Sequence, residues 1–352
     1  MNPLLLEFDR LAPVMVWAAI ALALAMLAAV IVERAAYAVL QARGRRLIQH
    51  YAPLVQRALA DDEAARRELL ASPVRHRVAI ARLLIAPLIG DRDASRITRT
   101  RAIAQAMSLL QIADRYLRSL MWWRRALALR ALGLIQARDH AAQLIAALDD
   151  GHPDVRAAAM DGLTDLHDQA SVQAIVVRLH DTSLHRGRRG AALKAFGSGC
   201  EPMLLEMSEV DPENRLNYTH ALAICGTSRS RAVLCRWTHD PRVEVRAAAF
   251  EALAYVGLDD DSARVAVEGL ESDDAPVRAM AAFALRGWQG SGDAAARLAM
   301  HLDDTWAVAV RAARTLQSMG DAGFVELQAR AARSDLVGLL ARQMLWQREA
   351  RT

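Results

Sequence analysis

A sequence that repeats itself every thirty-odd residues can fold in few ways, and this one does. Asp240–Leu253 reads Asp-Pro-Arg-Val-Glu-Val-Arg-Ala-Ala-Ala-Phe-Glu-Ala-Leu, and Asp150–Leu163 echoes it with Pro153, Val155, Arg156 and Ala157–Ala159. A third copy carries Pro276, Val277, Arg278, Ala279, Ala281, Ala282 and Leu285. In each, a bulky apolar residue follows the arginine by seven positions, and Arg125/Leu132, Arg189/Phe196 and Arg215/Leu222 keep that spacing. In the last two units Ala309 (with Leu316) and Gly338 (with Leu345) occupy the arginine position. The markers 125, 156, 189, 215, 246, 278, 309 and 338 are separated by 31, 33, 26, 31, 32, 31 and 29 residues. Between them run second stripes with helical spacing: Ala141, Leu144, Ile145 and Leu148; Val172, Ile175, Val176 and Leu179 after Ser171 as N-cap; Leu298 and Leu302 after Ala295. Each unit is therefore expected to be a helical hairpin that cannot bury its apolar face alone, so that stacked units share one continuous core.

The pattern D-x-x-x-x-V-R-x-A-A-x-x-A-L resembles HEAT repeats, in particular the short, alanine-rich bacterial HEAT-like or phycobilisome-lyase-type form. The resemblance covers residues 115–350 and is strongest at 150–180, 240–270 and 273–302. It implies an α-solenoid and says little about function. It also implies that the loop aspartate and helix arginine form a structural ladder between repeats: Asp150 with Arg156, Asp240 with Arg246, and Arg278. Ala309 and Gly338 depart from that ladder where the array nears its end.

Residues 11–32 form a separate signal, 22 positions without a charge. As a helix they would be roughly 33 Å long, the thickness of a bilayer's hydrocarbon core. Pro13 falls in the first turn, Trp17 sits near one end, and the acidic flank (Glu7, Asp9) is unlike the basic start of a secretory signal. The stripe Ala18, Ala21, Ala25, Ala28 and Ala29 would permit close packing on another membrane helix. Arg34, Arg43, Arg45 and Arg46 follow the span and Arg10 alone precedes it, so the positive-inside rule puts the bulk of the chain in the cytoplasm. The expected fold class is all-α: a single transmembrane helix followed by a HEAT-like α-solenoid. The expected division is 1–33 (tail and anchor), 34–114 (basic helical collar or diverged repeats) and 115–352 (solenoid). The expected location is the bacterial inner membrane, single-pass, with the N-terminus outside.

Charge follows that division. Residues 34–130 carry 19 arginines against 7 acidic groups, whereas residues 131–352 carry 24 basic and 30 acidic groups. The most one-sided stretch, Arg96 to Arg130, sets eight arginines against Asp114 alone. Arg96, Arg99, Arg101, Arg115, Arg118, Arg124 and Arg125 are expected to meet anionic lipid headgroups or an acidic partner. Nucleic acid is the weaker expectation: Tyr116, Trp122 and Trp123 interleave with these arginines, but the acidic remainder repels phosphate. A second cluster, His185-Arg186-Gly187-Arg188-Arg189-Gly190, gathers three arginines at a helix start. Arg186, Arg188 and Arg189 could bind an anion, a nucleotide second messenger or an acidic peptide, and the same composition also serves an inter-repeat loop.

Catalytic signatures are absent from the sequence. Lys194 is the only lysine and Ala195 follows it, so no P-loop exists. No HExxH, GxSxG or CxxC occurs, and the ten histidines form no metal-binding pair. Cys200 could be a reactive thiol or a buried structural one. No catalytic residue, metal or cofactor is expected. The expected function is a membrane-anchored scaffold whose solenoid, along a face lined by the second helices, binds a membrane-resident protein. Such a partner could belong to a polysaccharide-synthesising glycosyltransferase or a secretion machine. The alternatives are an anion sensor using Arg186–Arg189 and, less favoured, a lyase-type enzyme.

Overall fold

The structure is a computed structural model and describes residues 26, 45–90, 93–181, 184, 186–286, 288 and 292–349. The described residues contain helices, turns and loops and no strand. Of the expected membrane span, 11–32, Met26 alone is among the described residues, and no helix of the described residues is long and apolar enough to cross a membrane. The chain divides between Arg115 and Tyr116 into two compact units.

The first unit is helical throughout its described part: α1 (45–59), α2 (Glu63–Leu70), α3 (Arg77–Ile85) and α4 (Ala94–Ala106), followed by α5 (Leu109–Leu117), which reaches the division. Polar residues at the breaks set the boundaries. Asp62 caps α2 by accepting from the backbone N–H groups of Ala64 (2.9 Å) and Ala65 (3.1 Å), and Asp93 caps α4 through Arg96 N–H (3.1 Å). The core is aliphatic (Val55, Leu69, Ile80, Leu84, Leu88, Ile103), with Tyr51 reaching His76 Nδ1 at 3.0 Å.

The second unit alternates two kinds of helix. One set is α6 (Trp122–Leu134), α8 (Pro153–Leu166), α10 (Arg186–Phe196), α12 (Arg215–Cys225), α14 (Val243–Val256), α16 (Ala275–Ala284), α18 (Trp306–Ser318) and α20 (Leu336–Glu349). Between them lie α7 (Ala141–Ala146), α9 (Gln169–Val177), α11 (Glu201–Val210), α13 (Arg231–Trp237), α15 (Asp260–Gly269), α17 (Gly292–Met300) and α19 (Asp321–Ala331). Every marker position falls on an even-numbered helix, and consecutive even-numbered helices pack side by side as one layer. Their buried faces are the repeating apolar positions: Val155, Ala158, Ala159 and Leu163; Val245, Ala248, Ala249 and Leu253; Val277, Ala281, Ala282 and Leu285. The alanines let backbones approach. Where α6 crosses α8, Gly133 and Gly162 meet, and a Cβ on Gly133 would lie 2.3 Å from Gly162 Cα.

One cap differs from the sequence reading. Asp168, not Ser171, caps α9: its carboxylate accepts from Ser171 N–H at 2.8 Å, which puts Ser171 inside the first turn and fully buried. Aspartate three residues upstream offers a charged acceptor to the exposed N–H groups, and a serine already in helical geometry cannot do so.

Candidate functional site

The marker arginines do join the units, but one step out of the expected register. Arg125, Arg156, Arg246 and Arg278 each donate Nη1 to the carbonyl six residues back: Ser119 (2.8 Å), Asp150 (2.8 Å), Asp240 (2.9 Å) and Ser272 (2.8 Å). The carboxylates that Arg125, Arg246 and Arg278 meet, and that Arg215 meets, belong to the next unit. Arg125 forms a two-pronged pair with Asp150 (2.8 Å on both prongs), Arg278 does the same with Asp304 (2.7 Å), Arg215 meets Asp240 at 2.6 Å, and Arg246 meets Asp274. Asp150 and Asp240 are thus held through their backbone oxygens by Arg156 and Arg246, and through their side chains by the arginines of the unit before. The Asp240 side chain is fully buried. Burial opposes its ionisation, but hydrogen bonds from Arg242 and Arg215 outweigh that and hold its pKa down at about 2.

The ladder ends as the sequence departs from it. At position 338 a side chain cannot fit, because a Cβ would lie 1.9 Å from the Arg333 carbonyl oxygen. Arg342, one turn later, takes up that carbonyl instead at 2.9 Å, and Arg333 bridges Asp303 and Asp335.

The three arginines at the start of α10 go different ways. Arg188 pairs with Asp161 of α8, and Arg189 donates to the Leu179 carbonyl. Burial lowers the Arg189 guanidinium from its ordinary value, with Asp181 opposing the effect. Arg186 is exposed. Arg186 and Arg189 nevertheless share one feature: both line a groove of about 600 Å³ whose other walls are Leu193, Leu216, His220, Ile224, Glu251 and Tyr255. The groove runs over α10, α12 and α14, so it lies on the layer of marker helices and not on the second helices where the sequence reading placed the docking face.

Its lining is mixed. Ile224 and Tyr255 are 47% and 62% exposed, although both are large and apolar. His220 Nδ1 lies 4.0 Å from a Glu251 carboxylate oxygen, and burial lowers the His220 pKa from its ordinary value despite that neighbour. These residues were not singled out from the sequence, yet their register was available. His220 and Glu251 stand five positions after their markers, Ile224 and Tyr255 nine, so the four share one outward helix face.

The seven arginines of the basic stretch are also dispersed. Arg125 belongs to the ladder. Arg99 donates to the Leu59 carbonyl at 2.5 Å and to Ser95 Oγ at 2.9 Å. Arg124 stacks over the rings of Trp123 (5.0 Å) and Tyr116 (5.5 Å). Arg96 and Arg101 are half-buried, while Arg115 and Arg118 face solvent. Among the described residues no group of three or more histidine, cysteine or carboxylate side chains could hold a metal ion.

The family model for HEAT repeats matches residues 107–197, 201–286 and 239–320. This chain belongs to the HEAT-repeat family. No curated protein matches the sequence. Solved structures similar to it include human deoxyhypusine hydroxylase in complex with glycerol (17% identity, 87% of this chain and 98% of that one, TM-score 0.30). The complex of CpcE and CpcF of phycocyanin lyase from Nostoc sp. PCC7120 is 19% identical over 67% of this chain and 94% of that one, with a TM-score of 0.31. Kap121p bound to RanGTP is 14% identical over 84% and 44%, with a TM-score of 0.39. A HEAT-repeat solenoid is a typical scaffold for protein interaction, and this one presents its groove on the layer that carries the ladder.

Proposed function

We propose that this HEAT-repeat protein is a membrane-tethered scaffold, without a catalytic step of its own, that docks a protein segment in the groove over α10, α12 and α14. The observation that carries the docking half is the groove itself: exposed Ile224 and Tyr255 beside the guanidinium groups of Arg186 and Arg189. Such a lining suits an extended segment with apolar side chains and a carboxylate. The apolar contacts supply affinity, and the arginines set orientation. What supports the tether is the uncharged segment 11–32 with the arginines that follow it. Confinement to a bilayer would raise the effective concentration toward a membrane-resident partner. The proposed setting is the cytoplasmic side of a bacterial inner membrane, with the exposed Arg115 and Arg118 toward anionic headgroups and an envelope machine such as a glycosyltransferase or secretion complex as partner.

Three versions of the protein test this, each purified in mild detergent with mass spectrometry of whatever accompanies it: the full chain, a chain beginning at residue 34, and the full chain with Ile224→Asp and Tyr255→Ala. The expected result is a stoichiometric membrane protein with the full chain that is lost from the groove variant while its thermal unfolding is unchanged. Retention by the groove variant would place docking elsewhere. Equal recovery by the chain beginning at 34 would remove the tether from the account. A second reading, an anionic ligand at the groove mouth, draws on Arg186 and Arg189 lining one groove; Arg188 is engaged with Asp161. Calorimetric titration with cyclic dinucleotides separates it, since Arg186→Ala should abolish any heat of binding.

A further inference from the structure

Two of the three cysteines face each other across a boundary between units. Cys200 ends the 3-10 turn Gly197–Cys200 that follows α10, and Cys225 is the last residue of α12. Both are buried, at 0% and 5% exposure, and their sulfurs lie 2.7 Å apart. Each sulfur is also oriented by a carbonyl of its own segment, Gly197 at 3.0 Å for Cys200 and Ala221 at 3.2 Å for Cys225. A disulfide bond is about 2.05 Å long, so closing this pair shortens the sulfur–sulfur distance by about 0.7 Å.

We propose that Cys200 and Cys225 form a dithiol that hydrogen peroxide closes to a disulfide between adjacent repeats. Cys200 reacts first. Its sulfur attacks one peroxide oxygen, the O–O bond breaks, the thiol proton leaves with the departing oxygen as water, and Cys200 carries a sulfenic acid. Cys225 Sγ then attacks the Cys200 sulfur; the S–S bond forms, the S–O bond breaks, and the oxygen leaves as a second water with the Cys225 proton. Two thiols lose two electrons and one peroxide gains them.

The order follows from the surroundings. The contact with the Cys225 side chain lowers the Cys200 pKa against the opposing effects of burial and of the Glu201 carboxylate, whereas the same contact together with burial raises Cys225. Peroxide is the fitting oxidant because it is small and uncharged; a bulky disulfide has no approach to sulfurs this enclosed. Cys235, on α13, is less buried and is a member of neither segment, so it serves as an internal reference. The proposal stands independently of the groove, but the two touch: α12 is the middle wall, and Ile224 precedes Cys225. A bond between Cys225 and the turn after α10 would fix two walls of the groove relative to each other.

The full-length protein, first reduced with dithiothreitol and freed of it, is exposed to hydrogen peroxide. It is then denatured in N-ethylmaleimide and mapped by proteolysis and mass spectrometry. The expected result is one alkylated thiol, Cys235, in place of three, with Cys200 and Cys225 recovered as one cross-linked peptide that dithiothreitol separates. Cys225→Ser should abolish the cross-link and leave a sulfenic acid on Cys200 that dimedone traps; Cys235→Ser should leave the cross-link unchanged. Full alkylation of both Cys200 and Cys225 after peroxide would overturn the proposal, as would a bond from either to Cys235. The unmutated protein alone decides the matter, so it does not depend on the variants folding.

Discussion

Within one repeat array, the stretch α14–α16 and the stretch α10–α12 solve the same stacking problem differently. In the first, Arg246 and Arg278 each hold the carbonyl six residues back and the aspartate of the following unit. In the second, Arg189 turns to the Leu179 carbonyl, and Arg215 reaches Asp240 while its Nε has no partner among the described residues. The irregular intervals of 33 and 26 residues lie just before and within this second stretch. The groove lies where the ladder is incomplete, and so do Cys200 and Cys225. Regularity specifies the fold, and interruption leaves surface for something else.

The sharpest way to break the comparison is to remove the acid on which both stretches depend. Asp240 takes Arg215 from one side and Arg242 from its own loop, and its side chain is fully buried. Asp240→Ala should cost about 3–5 kcal/mol in equilibrium urea unfolding, the usual consequence of stripping a buried charge from its partner. A smaller effect should appear with acid. Asp240 is held at about 2 in the folded chain, against an ordinary aspartate value of about 3.9 when unfolded. The unfolded chain therefore binds the proton first. The corresponding stability, about 2 kcal/mol, is present above pH ~4 and is lost as pH falls from there toward 2. Asp240→Asn should flatten that part of the pH profile.

Next in size comes Arg278→Gln, which removes a two-pronged pair and a backbone hold and should cost about 2 kcal/mol by the same urea measurement. Arg333→Gln is its counterpart at the end of the array. There the partners Asp303 and Asp335 are about half exposed, and the unfolding midpoint should not move measurably. Equal losses from the two substitutions would erase the distinction between ladder and terminal bridge.

The helices were legible because their signal is periodic and summed over many residues. A leucine or phenylalanine seven places after each marker is enough to put one helix on each of the eight marker positions. The ladder's offset was not legible. Arg156 stands six residues after Asp150, and sequence spacing cannot distinguish a bond to that residue's carbonyl from one to its carboxylate; only the stacking shows that the carboxylate belongs to Arg125. The α10 arginines illustrate the same limit. Charge density singled out all three, but successive helical residues point about 100° apart, so Arg188 and Arg189 were bound to part company. The groove's apolar residues were overlooked because a lone isoleucine or tyrosine on an outward face is common; the signal lay in their equal distance from two markers.

The offset of the ladder has a consequence for how an array like this changes length. Each rung joins an arginine from one unit to an aspartate from the next, and the units of α14 and α16 each bring one of each, Asp240 with Arg246 and Asp274 with Arg278. If the 34 residues 241–274 were excised, Arg246 and Asp274 would leave together while Arg215 kept Asp240, and no rung would be left with a single hand. Duplication works the same way in reverse. Recombination between units can therefore lengthen or shorten the protein without creating an orphaned buried charge, whereas a rung closed within one unit would tie neighbours together only through apolar contact.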